Sequence, residues 1–318
     1  MQMRPTREAG GERGAPPSVI RRPPAGDVVL IAVAVVAVST SAPLIRRADA
    51  PSLAIAFWRN LLAVAVLVPF TAARRRTEIA GLVPAQRRGA LLAGVLLAAH
   101  FATWVPSLAF TTVASSVALV ATQPVWAALM ARFRGEIVPA RAWLGIGVAV
   151  AGAVALSGVD LSISPRALLG DALALAGGIL AAAYVTVGSG VRQSVSTTVY
   201  TTICYATAAA LLAGLCLAGG QPLSGYDAGT WAALVALTAG PQLLGHSVVN
   251  RVLRTTSATV VSVAILFEIV GSSLLAWAAF GETPPAGAYP AAVLIAAGVV
   301  LVVLSGRQPA VSGAPVLE

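Results

Sequence analysis

HFATWVPSLAFTTVASSVALVATQPVWAALMARFRGE (residues 100–136) and GHSVVNRVLRTTSATVVSVAILFEIVGSSLLAWAAFGE (residues 245–282) decide the fold, because they are two versions of one segment. His100 and His246 stand at their starts, Thr111-Thr112 and Thr255-Thr256 precede the long apolar run, and Gly135-Glu136 and Gly281-Glu282 close it. The members of these pairs are 146, 144 and 146 residues apart. Further out, Gly26-Asp27 recurs as Gly170-Asp171 at a distance of 144. One such pair would be coincidence; four in the same order indicate an internal duplication.

The duplicated unit is too apolar for water. The chain of 318 residues is 58% hydrophobic and 10% charged. Soluble domains carry about 45–50% apolar and about 25% charged residues. A bilayer core needs about 20 apolar residues per helix, and ten stretches qualify: 28–45, 52–71, 89–110, 112–132, 141–158, 168–190, 197–218, 230–250, 255–280 and 288–305. The first is too long for the apolar core of a signal peptide, about 7–15 residues. The expected fold is an all-α polytopic membrane protein of ten transmembrane helices, built as two inverted five-helix repeats. Repeat one is expected over 27–158 and repeat two over 168–306. Residues 1–26, rich in Arg, Pro and Gly, are expected to be a disordered cytoplasmic tail, and 307–318 a cytoplasmic C-terminal tail.

Charge sets the expected orientation. The net charge of +9 comes with no lysine; every cation is an arginine. These lie between apolar runs and not along one aromatic-studded face, so nucleic acid is not an expected partner. With the N-terminus inside, the inner side collects Arg4, Arg7, Arg13, Arg21, Arg22, Arg74, Arg75, Arg76, Arg87, Arg88, Arg132, Arg134, Arg141, Arg192, Arg251, Arg254 and Arg307. The outer side keeps Arg46, Arg47 and Arg166. Under the positive-inside rule both termini are cytoplasmic and the number of spans is even. Five spans per half is odd, so the halves cross the membrane in opposite senses, as in many secondary transporters. Cys204 and Cys216 share one apolar segment. They would lie about 18 Å apart on a straight helix at 1.5 Å per residue, too far to pair.

The duplicated segments, with WLGIGVAVAGAVALSG (143–158) following the first, resemble the drug/metabolite transporter superfamily, and within it the EamA-type transporters. The resemblance covers nearly the whole chain after the N-terminal tail. It implies a transporter of the bacterial inner membrane that moves amino acids, metabolites or drugs, usually outward. Such transporters typically carry a Glu-Pro or similar X-Pro pair in the middle of each of these spans. Here the first half has Gln123-Pro124 and the second Glu268-Ile269, so the acid survives in one half and the proline in the other.

Candidate functional residues are those that lipid would penalise. Glu268 in the ninth span and Arg59 in the second are the two charges expected at membrane depth, where each costs about 2.5–3.5 kcal/mol on insertion scales. Gln242, His246 and Asn250 follow i, i+4, i+8, and His100, Trp104 and Ser107 follow i, i+4, i+7, so each set shares a helix face. Gln123 and Trp126 join them by repeat equivalence with Glu268. Against function, Arg59 and Glu268 could pair as a static clamp, and the histidines could be interhelical glue worth about 0.6 kcal/mol per bond. Glu136 and Glu282 are expected to cap or pair at helix ends.

The expected function is secondary transport of a small molecule by alternating access. A lone acid in an apolar cavity can exchange a proton, which makes protons a candidate coupling partner. No cofactor and no metal are expected. An intramembrane enzyme using His100, His246 and Glu268 has a legitimate ligand set but no His-Glu-x-x-His spacing. A channel-like protein is the other alternative. The lipid bilayer is the surrounding partner, and a homodimer is compatible with the sequence.

Overall fold

The computed structural model describes residues 25–135, 137–245, 248, 252 and 264–305. These form helices α1 (Ala25–Ser39), α2 (Ser41–Arg47), α3 (Ser52–Arg74), α4 (Arg76–Ala80), α5 (Pro84–Ser107), α6 (Val113–Val120) and α7 (Gln123–Phe133). They continue as α8 (Ala140–Ile163), α9 (Pro165–Val191), α10 (Thr197–Ala218), α11 (Ala228–Leu237) with a π-helical segment Thr238–Gly245, α12 (Phe267–Phe280) and α13 (Ala288–Ser305). Eight stretches are long and apolar enough to cross a membrane: Ala25–Arg47, Ser52–Arg74, Pro84–Ser107, Val113–Phe133, Ala140–Asp160, Pro165–Val191, Thr197–Ala218 and Ala288–Ser305. At the places expected for spans eight and nine stand α11 with its π segment, and α12. The stretch between them lies largely outside the described residues, as do His246, Asn250 and Glu136.

Several boundaries move from those expected. Gly26 lies inside the first turn of α1 and not in the tail, beside Asp27, where the positive end of the helix dipole suits an acid. The fifth span runs on from 158 to Ile163, and Pro165 then opens α9 behind Ser164, whose side chain accepts the Arg166 N–H. The third begins at Pro84, a first-turn proline whose missing N–H costs nothing there, and ends at Ser107.

Proline explains where spans break. Pro43 cannot donate to the Ser39 carbonyl four residues back, and the chain turns at Thr40 between α1 and α2. The freed Ser39 carbonyl accepts the Ser272 hydroxyl of α12 at 3.1 Å. Pro124 frees the Val120 carbonyl in the same way, and span four divides at Ala121-Thr122 into α6 and α7. Pro241 and Gln242 sit inside the π segment, which follows a wider i→i+5 pattern; the shared face expected for Gln242, His246 and Asn250 falls partly outside the described residues. Span nine is also interrupted, at Leu266, just before α12. The duplicated spans four and nine thus break at matching places.

Small residues set the distances between helices. A Cβ on Gly298 of α13 would come within 2.4 Å of the Ala149 N and 2.6 Å of the Gly145 carbonyl of α8. Close backbone approach of this kind drives helix association in lipid, where apolar surface gains little by being buried. Both cysteines of α10 are buried and unpaired.

Contacts between loops sort them into two sets. In one, Arg46 pairs with Glu282 at 3.3 Å and donates to the Thr111 carbonyl at 3.3 Å. Glu282 accepts the Val113 N–H at 2.6 Å, capping α6. In the same set, Asp49 N donates to Thr230 and the Thr111 hydroxyl reaches Asp160 and Asp171. In the other set, Arg75 pairs with Glu78, Glu78 accepts the Ser196 N–H at 2.6 Å, and Gln86 donates to Ser194. No described hydrogen bond joins one set to the other.

Candidate functional site

The candidate site grows from one arginine. Arg59 faces inward from the middle of α3 and is only 2% exposed. A guanidinium keeps its charge, so its neighbours must offset the loss of water. Its Nε donates to the Gln242 Oε1 of the π segment at 2.7 Å. Its carbon centre lies 4.4 Å from the centroid of the Phe101 ring in α5, within cation–π range. Glu268 and Tyr205 lie within electrostatic reach. The two salt bridges among the described residues are Arg46–Glu282 and Arg75–Glu78; Glu268 is therefore not an ion-pair partner of Arg59 at 4.0 Å or closer. Nη1 of Arg59 is buried without a hydrogen-bond partner.

The acceptor is itself fixed. Gln242 is 2% exposed and donates to the Asn60 Oδ1 at 3.4 Å. Asn60 donates back to the Ala56 carbonyl at 2.7 Å. Thr238, at the start of the π segment, donates to the Leu234 carbonyl at 2.9 Å and lies 3.5 Å from the Arg59 carbonyl. π segments recur at functional sites, and here the wider turn lies where Gln242 meets Arg59. Arg59 and Asn60 belong to the first repeat; Gln242, Thr238 and Glu268 belong to the second. The cluster therefore bridges the two halves.

Glu268 sits in the first turn of α12, just past the break at Leu266. It is half-buried, and no described residue donates a hydrogen bond to it. The positive end of a helix favours a carboxylate there.

The remaining candidates lie elsewhere. His100 Nδ1 is 2.9 Å from the Gly177 carbonyl of α9, and its ring stacks on Trp104 at 5.6 Å. A Cβ on Gly177 would come within 2.9 Å of the Trp104 Cβ, so this pair sits at the tight α5–α9 contact. Trp126 donates to the Thr122 hydroxyl at 2.9 Å, and Thr122 donates to the Leu119 carbonyl at 2.6 Å. These bonds close the α6–α7 break from within. Gln123 is half-buried beside it. A cavity of about 250 Å³ opens against this break, lined by Leu119, Thr122, Val125, Trp126, Ala149, Val150, Ala153, Val154 and Leu175. Its walls are mostly apolar, and it is separate from the Arg59 cluster.

Phe101, Tyr205 and Thr238 were not among the candidates from sequence. Asn60 was visible in FWRN (57–60) as the neighbour of Arg59. Tyr205 and Thr238 had no signal beyond being polar in apolar runs, and Phe101 had none.

With duplication, broken spans and a polar cluster between the halves established, comparison is informative. The profile of the EamA-like transporter family matches residues 26–158 and, separately, 168–304. The chain belongs to the EamA-like transporter family. The two matches coincide with the two repeats, so this EamA-like protein is a multi-pass membrane protein of the drug/metabolite transporter kind. A crystal structure with 21% sequence identity and a TM-score of 0.61 covers 89% of this chain and 99% of its own. That likeness concerns the fold. No curated protein matches the chain.

Proposed function

We propose that this EamA-like protein is a secondary transporter that moves a small organic solute across the bacterial inner membrane by alternating access. The solute is an amino acid, another metabolite or a drug, and the direction is outward. The observation that carries this is the Arg59–Gln242 contact, with Glu268 close by. It joins the two repeats through buried polar groups at the place where inverted-repeat transporters bind their substrates. Ten spans, cytoplasmic termini and the remaining candidates, His100, Trp104, Gln123, Trp126, His246 and Asn250, belong to the same proposal as helix-bundle supports around that centre.

Glu268 is the proposed proton-coupling group, since it is an acid at a helix break with no described hydrogen-bond donor. Breaks in spans four and nine leave each half-helix able to tilt about Thr122 and Leu266, which suits a structure that must open on either side. Untargeted comparison of metabolites exported by cells with and without the protein identifies a solute. Counterflow in proteoliposomes then tests the proposal. Saturable counterflow, with a pH dependence lost in Glu268→Gln, is expected. Flux that never saturates overturns the carrier, and unchanged pH dependence in Glu268→Gln removes that residue as the coupling group.

A further inference from the structure

Arg59 holds more donors than the protein uses. A guanidinium presents five N–H groups in a rigid plane. Nε is engaged by Gln242, while among the described residues the buried Nη1 has no partner and no carboxylate stands within ion-pair distance. Were Arg59 only a structural clamp, the duplication would need only to bring an acid against it. Instead Glu268 balances it from further away, and a neutral amide takes the one close position.

The surroundings fix the guanidinium plane. Phe101 lies beneath it at 4.4 Å, Gln242 holds one edge at 2.7 Å, and Asn60 steadies Gln242 from the same turn of α3. Among the described residues, the guanidinium has an acceptor at Nε, and its buried Nη1 has none. A preorganised fork of this kind matches the two oxygens of a carboxylate or phosphate.

We propose that Arg59 is an oxyanion subsite, so that the transported solute carries a carboxylate or phosphate group that binds the Nη edge of its guanidinium. This rests on the reading of the Arg59 cluster as the transport site and adds the chemical class of the solute. Gln242 acts as a positioning residue: it orients the fork and leaves the Nη edge to the solute. Glu268 supplies the balancing negative charge when no solute is bound.

The test uses the full-length protein purified in detergent, with benzoate, phenyl phosphate, benzylamine and benzyl alcohol as size-matched probes and potassium chloride as an ionic-strength control. Binding is read as a rise in unfolding temperature on titration to about 10 mM, enough to register weak sites. Benzoate or phenyl phosphate should stabilise the wild-type protein, whereas benzyl alcohol and the chloride control should not. Affinity for the anions should fall at least about tenfold in Arg59→Gln and less in Arg59→Lys, which keeps the charge and loses the fork. Gln242→Glu keeps Arg59 folded in place and puts an internal carboxylate beside it, so it should also abolish anion binding; this variant serves if Arg59→Gln does not fold. Anion binding equal in wild type, Arg59→Gln and Gln242→Glu overturns the proposal. So does a wild-type protein stabilised by none of the anions. Counterflow of the same probes separates the two claims. Anion binding without counterflow leaves the subsite standing and sinks the transporter. Saturable counterflow of benzylamine alone, with no response to the anions, does the reverse.

Discussion

Replacing Gln242 with Leu is the sharpest probe of how a buried cation is tolerated here. Leu has nearly the volume of Gln, so the change removes an acceptor without opening a cavity. The lost interaction is a 2.7 Å bond to a charged donor, with both residues 2% exposed. A hydrogen bond to a charged group contributes about 1.5–3 kcal/mol. What would remain is Phe101, about 0.5–2 kcal/mol as a cation–π contact, and Glu268 at a distance. Gln242→Leu should therefore destabilise the protein by about 2–3 kcal/mol. Arg59→Met alone leaves the Gln242 oxygen buried and unpaired, at a cost of about 1–3 kcal/mol. The double variant removes charge and partner together, and such replacements are often neutral or stabilising. Unfolding midpoints in denaturant, converted through a double-mutant cycle, should show the double variant less than 1 kcal/mol below wild type by this reasoning. The coupling should then amount to about 2 kcal/mol or more. A Gln242→Leu cost below about 0.5 kcal/mol, or a double variant that costs the sum of the singles, would refute the idea that this amide stabilises the arginine.

Three further outcomes follow from the packing and the outer loops. Gly298→Ala forces a Cβ against the α8 backbone at 2.4 Å and should cost about 1–3 kcal/mol, whereas Gly147→Ala meets nothing within 4 Å and should gain about 0.5–1 kcal/mol; both are read from unfolding midpoints. Glu282→Gln keeps an acceptor for the Val113 N–H and loses only the part-exposed pair with Arg46, about 1 kcal/mol at most, while Glu282→Ala loses the α6 cap too and should cost about 1.5–3 kcal/mol. Asp227, exposed at the start of α11, is held below its ordinary 3.8 by hydrogen bonds from the Thr230 hydroxyl and N–H. Its ionised form favours the folded state, so that contribution is complete above the ordinary value and is lost as pH falls through the lower folded one; Asp227→Asn should flatten the acid limb of the unfolding temperature against pH.

Much of this protein is written plainly in its sequence, and the remainder is hidden for identifiable reasons. Hydropathy reports how long an apolar run is, so the eight long spans were legible, as was the duplication from pairs such as His100 with His246. Hydropathy is blind to a break within an apolar run. Thr122 and Leu266 look like ordinary span residues, and only Pro124 hinted at the first of the two breaks. The π segment around Gln242 also has no local signal beyond Pro241, because spacing i, i+4 presumes an α-helix. Arg59 and Gln242 were each singled out as polar residues in lipid, but their contact spans 183 residues. No local pattern carries a contact of that range. A static clamp with Glu268 was the alternative to function for Arg59, and its described hydrogen-bond partner is the Gln242 amide. His100 looked equally suited to cavity or glue, and its partner is the backbone of α9.

Alternating access requires the two repeats to separate at either end in turn, and at one end the contacts among Arg46, Thr111, Val113 and Glu282 hold them together in this structure. The most direct measurement is counterflow across a bridge placed there. Arg46→Cys and Glu282→Cys, in a background with Cys204→Ala and Cys216→Ala, are joined by a short reducible thiol cross-linker in proteoliposomes. Counterflow should stop on cross-linking and return on reduction, while each single cysteine variant treated alike should continue to transport. Undiminished counterflow through the bridged protein would contradict a carrier that opens between its two repeats.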